Sequence, residues 1–326
     1  MKFILPALTD LLRGGALTLA LGCAALALLG QGGRFSDWMD AINHGMPIFL
    51  AGAVLALLLW LLSGRQGGWT PALAGLAVVS ALIIMGPELI AASRQKPDTT
   101  ATPTLKVLQF NLWYKNKDPE ATTRWILAQD PDVIVFEESF RRSGGIVRAL
   151  ADRYPHQATC ADPYPCSTVV LSKRAPMASG GMAKWGPGWL SGAWATFATD
   201  DGPFTVVGVH YTWPVPAGPQ QRQTRRMVQA LERFPKDSLI VTGDFNSTPW
   251  SFSLRRQDRA FGLQRRTRAL PSWPAGDFLG KGVSAPFPIL PIDHVYAGDS
   301  WKTVSVKRGP KLGSDHYPVL VEFARR

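Results

Sequence analysis

In the segment SLIVTGDFN at Ser238–Asn246, a strand-like apolar run ends on a glycine, an acid and an amide. Other apolar runs carry an acid, an amide or an imidazole at one end in the same way: LKVLQFN (105–111), DVIVFEE (132–138), TVVGVHYTW (205–213), IDHV (292–295) and GSDHYPVLVEF (313–323). Short apolar runs of this composition are typical of β-strands. Their polar ends would bring oxygen ligands and histidines to one edge of a sheet, as a divalent metal and a phosphate group require.

The charge of the chain is unevenly distributed. Its 35 Lys and Arg residues exceed its 24 acids, which gives a formal net charge of +11. Residues 1–98 contain 6 Lys and Arg against 5 acids, so 29 against 19 fall in the remainder. Nearly all of the basic surplus therefore belongs to the C-terminal part, and it favours anionic partners such as nucleic acid or anionic lipid headgroups.

Three apolar stretches dominate the N-terminal part, Gly14–Gly30, Met46–Ser63 and Trp69–Ala92, and none has a charge in its centre. Each is close to the roughly 17 to 25 residues that a membrane-spanning helix needs. A buried soluble helix is the alternative for any one stretch, but three in succession predict a transmembrane domain over residues 1–94. The polar segment QKPDTTATP (95–103) then indicates a linker to a soluble domain over residues 104–326.

An odd number of spans puts the two ends of the chain on opposite faces of the membrane. Lys2, Arg13 and the loop with Arg65 favour a cytoplasmic N-terminus. The soluble domain is therefore expected outside the cytoplasm, in a multi-pass protein of the inner (plasma) membrane. The first stretch also fits a signal peptide, although the other two would still anchor the chain. Cys160 and Cys166 could form a disulfide in that oxidising compartment, or could be two unrelated thiols.

In their order and spacing from Leu105 to Phe323, the strand-like segments resemble the endonuclease/exonuclease/phosphatase superfamily. This superfamily includes pancreatic deoxyribonuclease, abasic-site endonucleases, neutral sphingomyelinases and inositol polyphosphate 5-phosphatases. GDFN followed far downstream by SDH is specific as a pair, whereas either motif alone is weak. The resemblance implies a four-layer α/β sandwich, two mixed β-sheets flanked by helices, preceded here by three transmembrane helices; composition alone predicts only α/β or α+β. The chain is thus expected to be a membrane-anchored bacterial member with its catalytic domain over residues 104–326.

The resemblance also implies a Mg²⁺ cofactor, with Mn²⁺ as the alternative. Glu138 is the leading ligand, because the family places its metal-binding acid last in this segment. Asn111 would supply an amide oxygen or position a water on the metal, and Asp315 would be a direct or outer ligand. Glu137 stands where a glutamine is more usual in the family, so its carboxylate could tighten metal binding or pair with an arginine.

The remaining family positions would act on the phosphate group itself. Asp244 is expected to orient or deprotonate the attacking water, and Asn246 to hold a phosphate oxygen. His210 and His316 would contact the phosphoryl group and stabilise developing charge. Asp293 would fix the tautomer of His316. Taken singly, each of these residues could instead be a turn former or a structural histidine.

Two other features leave alternatives open. The basic run Ser253–Arg268, together with Arg222, Arg225 and Arg226, is either a solvated face or a surface that attracts polyanions or anionic lipid headgroups. Several tryptophans could form an interfacial belt or an acyl-chain groove, or pack in the core: Trp113, Trp185, Trp189, Trp213, Trp250 and Trp273. His294 should face away from Asp293 across its strand and be structural.

These features predict a membrane-anchored, Mg²⁺-dependent phosphoric-ester hydrolase that acts on a lipid-linked phosphate or phosphodiester at the outer face of the membrane. Its partners would be the lipid bilayer and a phosphate-ester substrate. The first alternative is an extracytoplasmic metal-dependent nuclease acting on DNA, which the basic surplus favours. The second is a catalytically inactive binding module, although every expected catalytic position holds a competent residue.

Overall fold

The computed structural model describes residues 4–65, 68–160, 167–182, 189–278 and 283–326. Cys166 and Trp185 lie outside the described residues, so the disulfide and the role of that tryptophan stay predictions. The chain forms two compact units, which are Met1–Ser93 with Trp250–Arg255, and Arg94–Pro249 with Arg256–Arg326.

The first unit is helical. Its helices are α1 (Ile4–Gln31), α2 (Asp37–Ile42), α3 (Met46–Leu62) and α4 (Trp69–Arg94). Small residues such as Ala20, Ala53 and Ala77 are fully buried between α1, α3 and α4, whereas Leu21 and Ile83 are exposed. This arrangement is typical of helices in a bilayer, where leucine gains little by leaving the lipid. Three stretches are long and apolar enough to cross a membrane, by length and composition: Ala7–Arg34, Asp37–Leu62 and Trp69–Arg94.

The sequence does not predict α2, which carries a buried acid. The carboxylate of Asp40 accepts hydrogen bonds from the backbone N–H groups of Phe252 and Ser253, each at 2.7 Å, and from Asn43 Nδ2 at 2.8 Å. The indole of Trp250 donates to the carbonyl of Asn43 at 2.8 Å. A buried charge is tolerated when its lone pairs are satisfied in this way. Asp40 thus anchors the short segment 250–253 within the first unit.

Two six-stranded mixed sheets form the second unit. Sheet I contains, in spatial order, β13 (Trp301–Arg308), β14 (Val319–Arg325), β1 (Leu105–Asn111), β2 (Val133–Glu137), β4 (Val169–Ser172) and β3 (His156–Thr159). Sheet II contains β5 (Ala178–Gly181), β6 (Ser191–Phe197), β7 (Phe204–His210), β8 (Leu239–Asp244), β12 (Asp293–Ala297) and β9 (Gln264–Arg265). Outside the two sheets, β10 (Asp277–Phe278) pairs antiparallel with β11 (Val283–Ser284). The pairs β1/β2 and β7/β8 are parallel, and the other neighbours within the two sheets are antiparallel.

The chain segments between the strands include the helices α5 (Pro119–Gln129), α6 (Gly144–Ala149), α7 (Ala217–Leu231) and α8 (Phe252–Phe261). The segments Glu120–Ala128 and Gln220–Phe234 have the composition of helices, which predicts helices there, and they correspond to α5 and α7. Asp118 caps α5, because its carboxylate accepts from the N–H of Ala121 at 2.9 Å. The sequence does not predict α8, which begins inside the basic run.

Successive side chains of each strand point to opposite faces of its sheet. Val107 of β1 and Val206 of β7 belong to the hydrophobic cluster between the sheets. Leu108, the next residue in β1, belongs to a second cluster with Ile126 of α5 and Ile146 of α6. One face of sheet I therefore packs on sheet II and the other on helices, which confirms the predicted α/β sandwich of two mixed sheets flanked by helices.

The basic run Ser253–Arg268 is not a uniform solvated face. Arg265 is 1% exposed and lies 3.1 Å from the carboxylate of Asp258, which also accepts from the hydroxyl of Tyr296 at 2.6 Å. Arg266 is also buried and donates to the carbonyls of Ala297, Gly298 and Trp301. Both interpretations of the run are therefore wrong for Arg265 and Arg266, which stabilise the fold.

Candidate active site

Strand register places the polar residues at one level of the two sheets. In sheet II, His210 at the end of β7 pairs with Asp244 at the end of β8, which pairs in turn with Asp293 at the start of β12. In sheet I, Asn111 at the end of β1 pairs with Glu137 at the end of β2. Parallel neighbours end at the same edge, and antiparallel β12 begins there. The strands therefore bring these side chains together as the sequence predicts.

Gly243 allows the GDFN turn to form. Its φ is +154°, and a Cβ atom at this position would lie 1.8 Å from the carbonyl oxygen of Val209 on β7. Only glycine permits so close an approach of two backbones. After this residue the chain turns at Asn246, whose φ is +47° and whose N–H donates to Asp244 Oδ1 at 2.8 Å. The turn thereby fixes the orientation of the Asp244 carboxylate.

Asp244 lies at the centre of the candidate site and is 1% exposed. Its Oδ2 atom accepts from Asn111 Nδ2 at 3.0 Å and from Asn246 Nδ2 at 3.3 Å. The Nε2 atoms of His210 and His316 each lie 3.7 Å from the same oxygen. One buried carboxylate oxygen is therefore surrounded by two amides and two imidazoles.

A buried pair of Asp293 and His316 lies beside Asp244. His316 Nδ1 and Asp293 Oδ2 are 2.8 Å apart, and Asp293 Oδ1 accepts from Gln109 Nε2 at 2.8 Å. Burial lowers the pKa of His316, but the carboxylates of Asp293 and Asp244 outweigh burial and raise that pKa well above its ordinary value. Burial likewise opposes ionisation of Asp293, but His316 keeps the pKa of Asp293 below its ordinary value. His316 is thus held as an imidazolium that can donate from Nε2.

The pKa of Asp244 is shifted in the opposite direction from that of Asp293. Burial raises the pKa of Asp244 to about 6, with Asp293 adding to the shift and the imidazolium of His316 opposing it. At neutral pH this carboxyl is still mostly ionised. It is also a stronger proton acceptor than an ordinary aspartate, which suits it to accept a proton from water.

Glu137 is fully buried beside the site and does not pair with an arginine in the described part of the chain. Its Oε2 atom accepts from Gln109 Nε2 at 2.9 Å, and no described arginine forms an ion pair with it. Burial, and then the charges of Asp293 and Asp244, raise the pKa of Glu137 well above its ordinary value. We therefore expect a neutral carboxylic acid here, whose hydrogen-bonding character is close to that of the glutamine usual in the family.

Glu138, Asn111 and Asp315 form the oxygen-rich side of the site. Glu138 has a φ of +53°, and its carboxylate accepts from the N–H of Tyr114 at 3.2 Å and from Asn111 Nδ2 at 3.4 Å. Burial raises the pKa of Asp315, and Glu138 adds to that shift. Within the described residues, the buried Asp315 Oδ1 atom has no hydrogen-bond partner. An unsatisfied carboxylate oxygen near a second acid fits a hard divalent cation.

Asn111 donates to both Glu138 and Asp244 through its amino group, and its oxygen accepts from the N–H of Trp113 at 3.0 Å. Of the two roles considered for Asn111, this orientation favours positioning over direct ligation. A second grouping could also hold a metal ion, because Asp244, Asp293 and His316 bring ligand atoms within 4.8 Å of one another.

His210 is oriented by a chain of hydroxyl groups. Its Nδ1 atom lies 3.1 Å from Ser167 Oγ, which lies 3.0 Å from Ser191 Oγ, and Thr168 Oγ1 lies 2.8 Å from the same Ser191 oxygen. Ser191 is also the strand partner of His210 in sheet II. The ring is therefore held with Nε2 towards Asp244.

Sequence analysis missed several polar residues that shape the site: Gln109, Ser167, Ser191, Ser272 and Ser314. Gln109 could have been found, because it lies two residues before Asn111 and so on the same face of β1. Ser314 could also have been found within the SDH motif, since its Oγ donates to the carbonyl of Asn111 at 2.7 Å and accepts from the N–H of His316 at 3.0 Å. The other serines follow no motif and give no signal in the sequence.

The remaining candidates are placed as follows. The ring of His294 is fully buried with Nε2 2.9 Å from the carbonyl oxygen of Ser247, as expected of a structural histidine on the other face of β12. Trp250 is buried, whereas Trp189 and Trp213 are 42% and 56% exposed. Core packing therefore accounts for Trp250 only, among these three tryptophans.

Comparisons with known proteins identify the family. A family model described as Endonuclease/Exonuclease/phosphatase family matches residues 108–316, more than half of the chain. A comparison with curated protein sequences gave no significant match.

Solved structures share the fold at low sequence identity. The endonuclease/exonuclease/phosphatase from Bacteroides vulgatus is 16% identical, with a TM-score of 0.55 over 68% of this chain and 99% of that chain. The protein of the same description from Beutenbergia cavernae is 18% identical, with a TM-score of 0.52 over 69% and 72% of the two chains. Beta toxin from Staphylococcus aureus, in a variant structure with bound magnesium ions, is 13% identical, with a TM-score of 0.51 over 68% and 99%. Together with the family match, the shared fold shows that the chain belongs to the endonuclease/exonuclease/phosphatase family of hydrolases.

Proposed function

We propose that the protein is a membrane-anchored, Mg²⁺-dependent phosphoric-ester hydrolase. The observation that carries this proposal is the position of Asp244, a buried carboxylate 3.7 Å from the Nε2 atoms of both His210 and His316. An anion between two imidazoles can orient a water molecule while the imidazoles receive the oxygens of a phosphate group. The family match supports a phosphate ester as the substrate.

In the proposed reaction, Asp244 accepts a proton from a water molecule as the water oxygen attacks phosphorus. The new bond to phosphorus forms in line with the bond to the leaving oxygen, which breaks. The raised pKa of Asp244, about 6, supports this role because the carboxylate is ionised at neutral pH yet basic enough to take the proton.

Donors around Asp244 would stabilise the charge on the phosphoryl oxygens. His316, kept protonated by Asp293, would donate from Nε2 to a non-bridging oxygen, and His210 would contact a second one. Asn246 Nδ2 donates to the carbonyl of Tyr211 at 2.9 Å as well as to Asp244. Asn246 therefore orients the base, and it can exchange one of these hydrogen bonds for a phosphate oxygen.

We place the metal on Glu138 and Asp315, with Asn111 orienting both the metal side and Asp244. The unsatisfied Asp315 Oδ1 atom supports this choice over the alternative Asp244, Asp293 and His316 grouping, in which Asp293 and His316 are already hydrogen-bonded to each other. When bound, Mg²⁺ supplies positive charge to the phosphate group and its leaving oxygen. The magnesium ions in the structure of beta toxin support this choice of metal.

The bilayer is the proposed source of the substrate. The three apolar helices would hold the catalytic unit at the membrane, with Lys2, Arg13 and Arg65 on the cytoplasmic side and the hydrolase outside. We therefore infer a lipid-linked phosphate or phosphodiester as the substrate, because a catalytic unit tethered there lies next to the lipid headgroups. A reporter fused after Arg326 tests this orientation: activity of a reporter that requires export is expected, and activity of a cytoplasmic reporter would contradict it.

A substrate panel tests the proposed reaction. The full-length protein in detergent micelles is assayed with a lipid diphosphate, a phosphodiester lipid and DNA, each with Mg²⁺ and with EDTA. We expect Mg²⁺-dependent turnover of a lipid substrate, which Asp244→Ala abolishes. Turnover of DNA alone would replace the lipid proposal, and turnover that resists EDTA would contradict the metal.

A nuclease is the second candidate, because the C-terminal part carries the basic surplus. Part of that surplus is unavailable to a polyanion, since Arg265 and Arg266 are buried. A DNA-binding site would lose affinity steeply as the salt concentration rises. The logarithm of the binding constant falls with the logarithm of the salt concentration, with a slope of about the number of phosphate contacts. A flat salt dependence would exclude this candidate.

A further inference from the structure

A pocket of about 670 Å³ opens beside Glu138 and His210. Part of its lining is aromatic, formed by the stacked rings of Tyr114 and Phe140, and the lining also includes Trp213 and residues of α7. The size is sufficient for the group attached to a scissile phosphate. The chemistry of this lining therefore indicates what that group carries.

Two cations of the protein, Arg141 and Lys115, lie within cation–π distance of these aromatic rings. The rings of Tyr114 and Phe140 stack with centroids 5.6 Å apart and planes within 2° of parallel. The guanidinium of Arg141 lies 5.3 Å from the Tyr114 ring and 5.9 Å from the Phe140 ring, and the ammonium of Lys115 lies 5.2 Å from the Tyr114 ring. These rings are therefore poor partners for a substrate ammonium group, since cations of the protein already interact with them.

The first turns of α7 are fixed to the loops around the site. Gln220, which is buried, donates to the carbonyls of Thr212 at 2.9 Å and Phe245 at 3.0 Å. Gln223, also buried, accepts from the N–H of Thr212 at 2.9 Å and donates to the carbonyl of Trp189 at 2.6 Å. These bonds fix the rotation and register of the helix against the catalytic strands.

Arg222 lies between these two glutamines on α7 and lines the pocket. It forms no hydrogen bond or ion pair with another residue in the described part of the chain, and Glu138 is the only acid among the described residues that line the pocket. Arg222 is exposed, as expected of a residue at the open side of the pocket. A guanidinium at a pocket wall without a carboxylate partner is suited to bind a phosphate or carboxylate in two-point fashion.

We propose that Arg222 binds a second anionic group of the substrate, beyond the scissile phosphate. This inference rests on the proposed hydrolase function and narrows it. The substrate class is a phosphate ester that carries a further phosphate, either directly attached as in a diphosphate or on a phosphorylated headgroup. Substrates with a cationic headgroup, such as a choline phosphodiester, are disfavoured because they would face Arg222.

Matched substrates and variants of the full-length protein test the proposal. One pair is farnesyl diphosphate against farnesyl phosphate, and the other is phosphatidylinositol 4-phosphate against phosphatidylinositol. We expect Arg222→Gln to lower kcat/KM about 10- to 100-fold on the member of a pair with the extra phosphate, and less than about threefold on its partner. The pair that shows this difference identifies whether the second phosphate is adjacent or on a headgroup.

Arg225→Gln is the matched control, because Arg225 is an exposed residue of the same helix and does not line the pocket. It should leave both members of each pair unchanged. An equal effect of Arg222→Gln on both members, or no effect on either, would overturn the subsite.

A binding measurement separates this inference from the hydrolase proposal. Pyrophosphate and inorganic phosphate are titrated calorimetrically into Asp244→Ala protein in Mg²⁺, with and without Arg222→Gln. We expect Arg222→Gln to weaken pyrophosphate about 10-fold or more and phosphate less than about threefold. This result would support the subsite even if the wild-type protein turned over no substrate in the panel, whereas equal weakening of both anions would contradict it.

Discussion

The two ends of the β-sandwich differ in chemistry, and the end with the larger cavity is not the candidate active site. The larger cavity, about 1000 Å³, is lined by the first residues of β1 and β2, Leu105 and Val133, and by Lys173 and Arg174. The candidate active site lies at the last residues of those strands, about 20 Å away at roughly 3.3 Å per residue along β1. The pocket there is smaller, at about 670 Å³.

Charges at the larger cavity are paired or in contact with solvent. The ammonium of Lys173 lies 3.0 Å from the carboxylate of Asp130 and 3.5 Å from that of Asp132, and Arg174 donates to the carbonyl of Ala198 at 2.7 Å. At the catalytic end, by contrast, Asp244 is buried with a raised pKa between two imidazoles. Convergent, desolvated groups with shifted pKa values are characteristic of a catalytic site, and void volume alone is a weaker guide.

The largest loss of activity is expected when the base or the imidazolium is removed. Asp244→Ala and His316→Ala should each lower kcat at least about a hundredfold, because they remove water activation or charge stabilisation. Arg174→Ala at the other end of the sandwich should change kcat less than about twofold. Thermal unfolding of all three variants checks that the fold is retained, and near-wild-type turnover in Asp244→Ala would overturn the proposed mechanism.

The next effect concerns the metal. Glu138→Gln should raise the Mg²⁺ concentration needed for half-maximal activity about 10- to 100-fold, with partial rescue at high Mg²⁺, because an amide replaces the leading carboxylate ligand. Mn²⁺ binding measured by electron paramagnetic resonance gives a readout that does not depend on turnover. If Asp293→Asn weakened metal binding and Glu138→Gln did not, the metal would belong to the Asp244, Asp293 and His316 grouping instead.

A smaller effect is the response to pH. Because burial raises the pKa of Asp244 to about 6, the ionised base is lost as pH falls through that value. We expect kcat/KM to fall about tenfold per pH unit well below about 6 and to level off above it. The pKa of His316 is raised, so the imidazolium persists above neutrality and activity should not decline just above pH 7. A profile without an acid limb between about pH 4.5 and 7 would contradict the assignment of Asp244.

The smallest effect is expected at Glu137, one residue from the leading metal ligand. Glu137→Gln should change kcat less than about threefold and should leave the stability of the fold nearly unchanged. The reason is that this side chain is expected to be a neutral acid that is hydrogen-bonded to Gln109. Its matched comparison is Glu138→Gln, the same change at the adjacent position. A large loss in Glu137→Gln with normal activity in Glu138→Gln would mean that the two acids are assigned in reverse.

The sheets and the converging residues could be predicted from the sequence because the signal is local. Each strand is a short apolar run, and His210, Asp244 and Asn111 terminate such runs. Alternation along β12 also predicts correctly that His294 faces away from Asp293. The family resemblance supplied the four-layer arrangement, which composition cannot give.

The rest depends on contacts between residues far apart in sequence. Arg265 is buried because it pairs with Asp258, which is also hydrogen-bonded to Tyr296, 31 residues beyond Arg265 in the chain. The composition of the basic run alone therefore could not predict this burial. The link from Gln109 to Asp293 likewise joins the two sheets. Helix α2 is too short to show a hydrophobic period, and its buried Asp40 is satisfied by backbone groups of residues 252 and 253.

The central claim is that water attacks phosphorus at the Asp244 end of the sandwich with the help of a bound metal. The most direct test is hydrolysis of the best substrate of the panel in ¹⁸O-labelled water with Mg²⁺, followed by mass spectrometry of both products. We expect one labelled oxygen in the phosphate product, none in the released alcohol or phosphate leaving group, and no product with EDTA or with Asp244→Ala. Label in the leaving group, or unchanged product formation by Asp244→Ala, would contradict it.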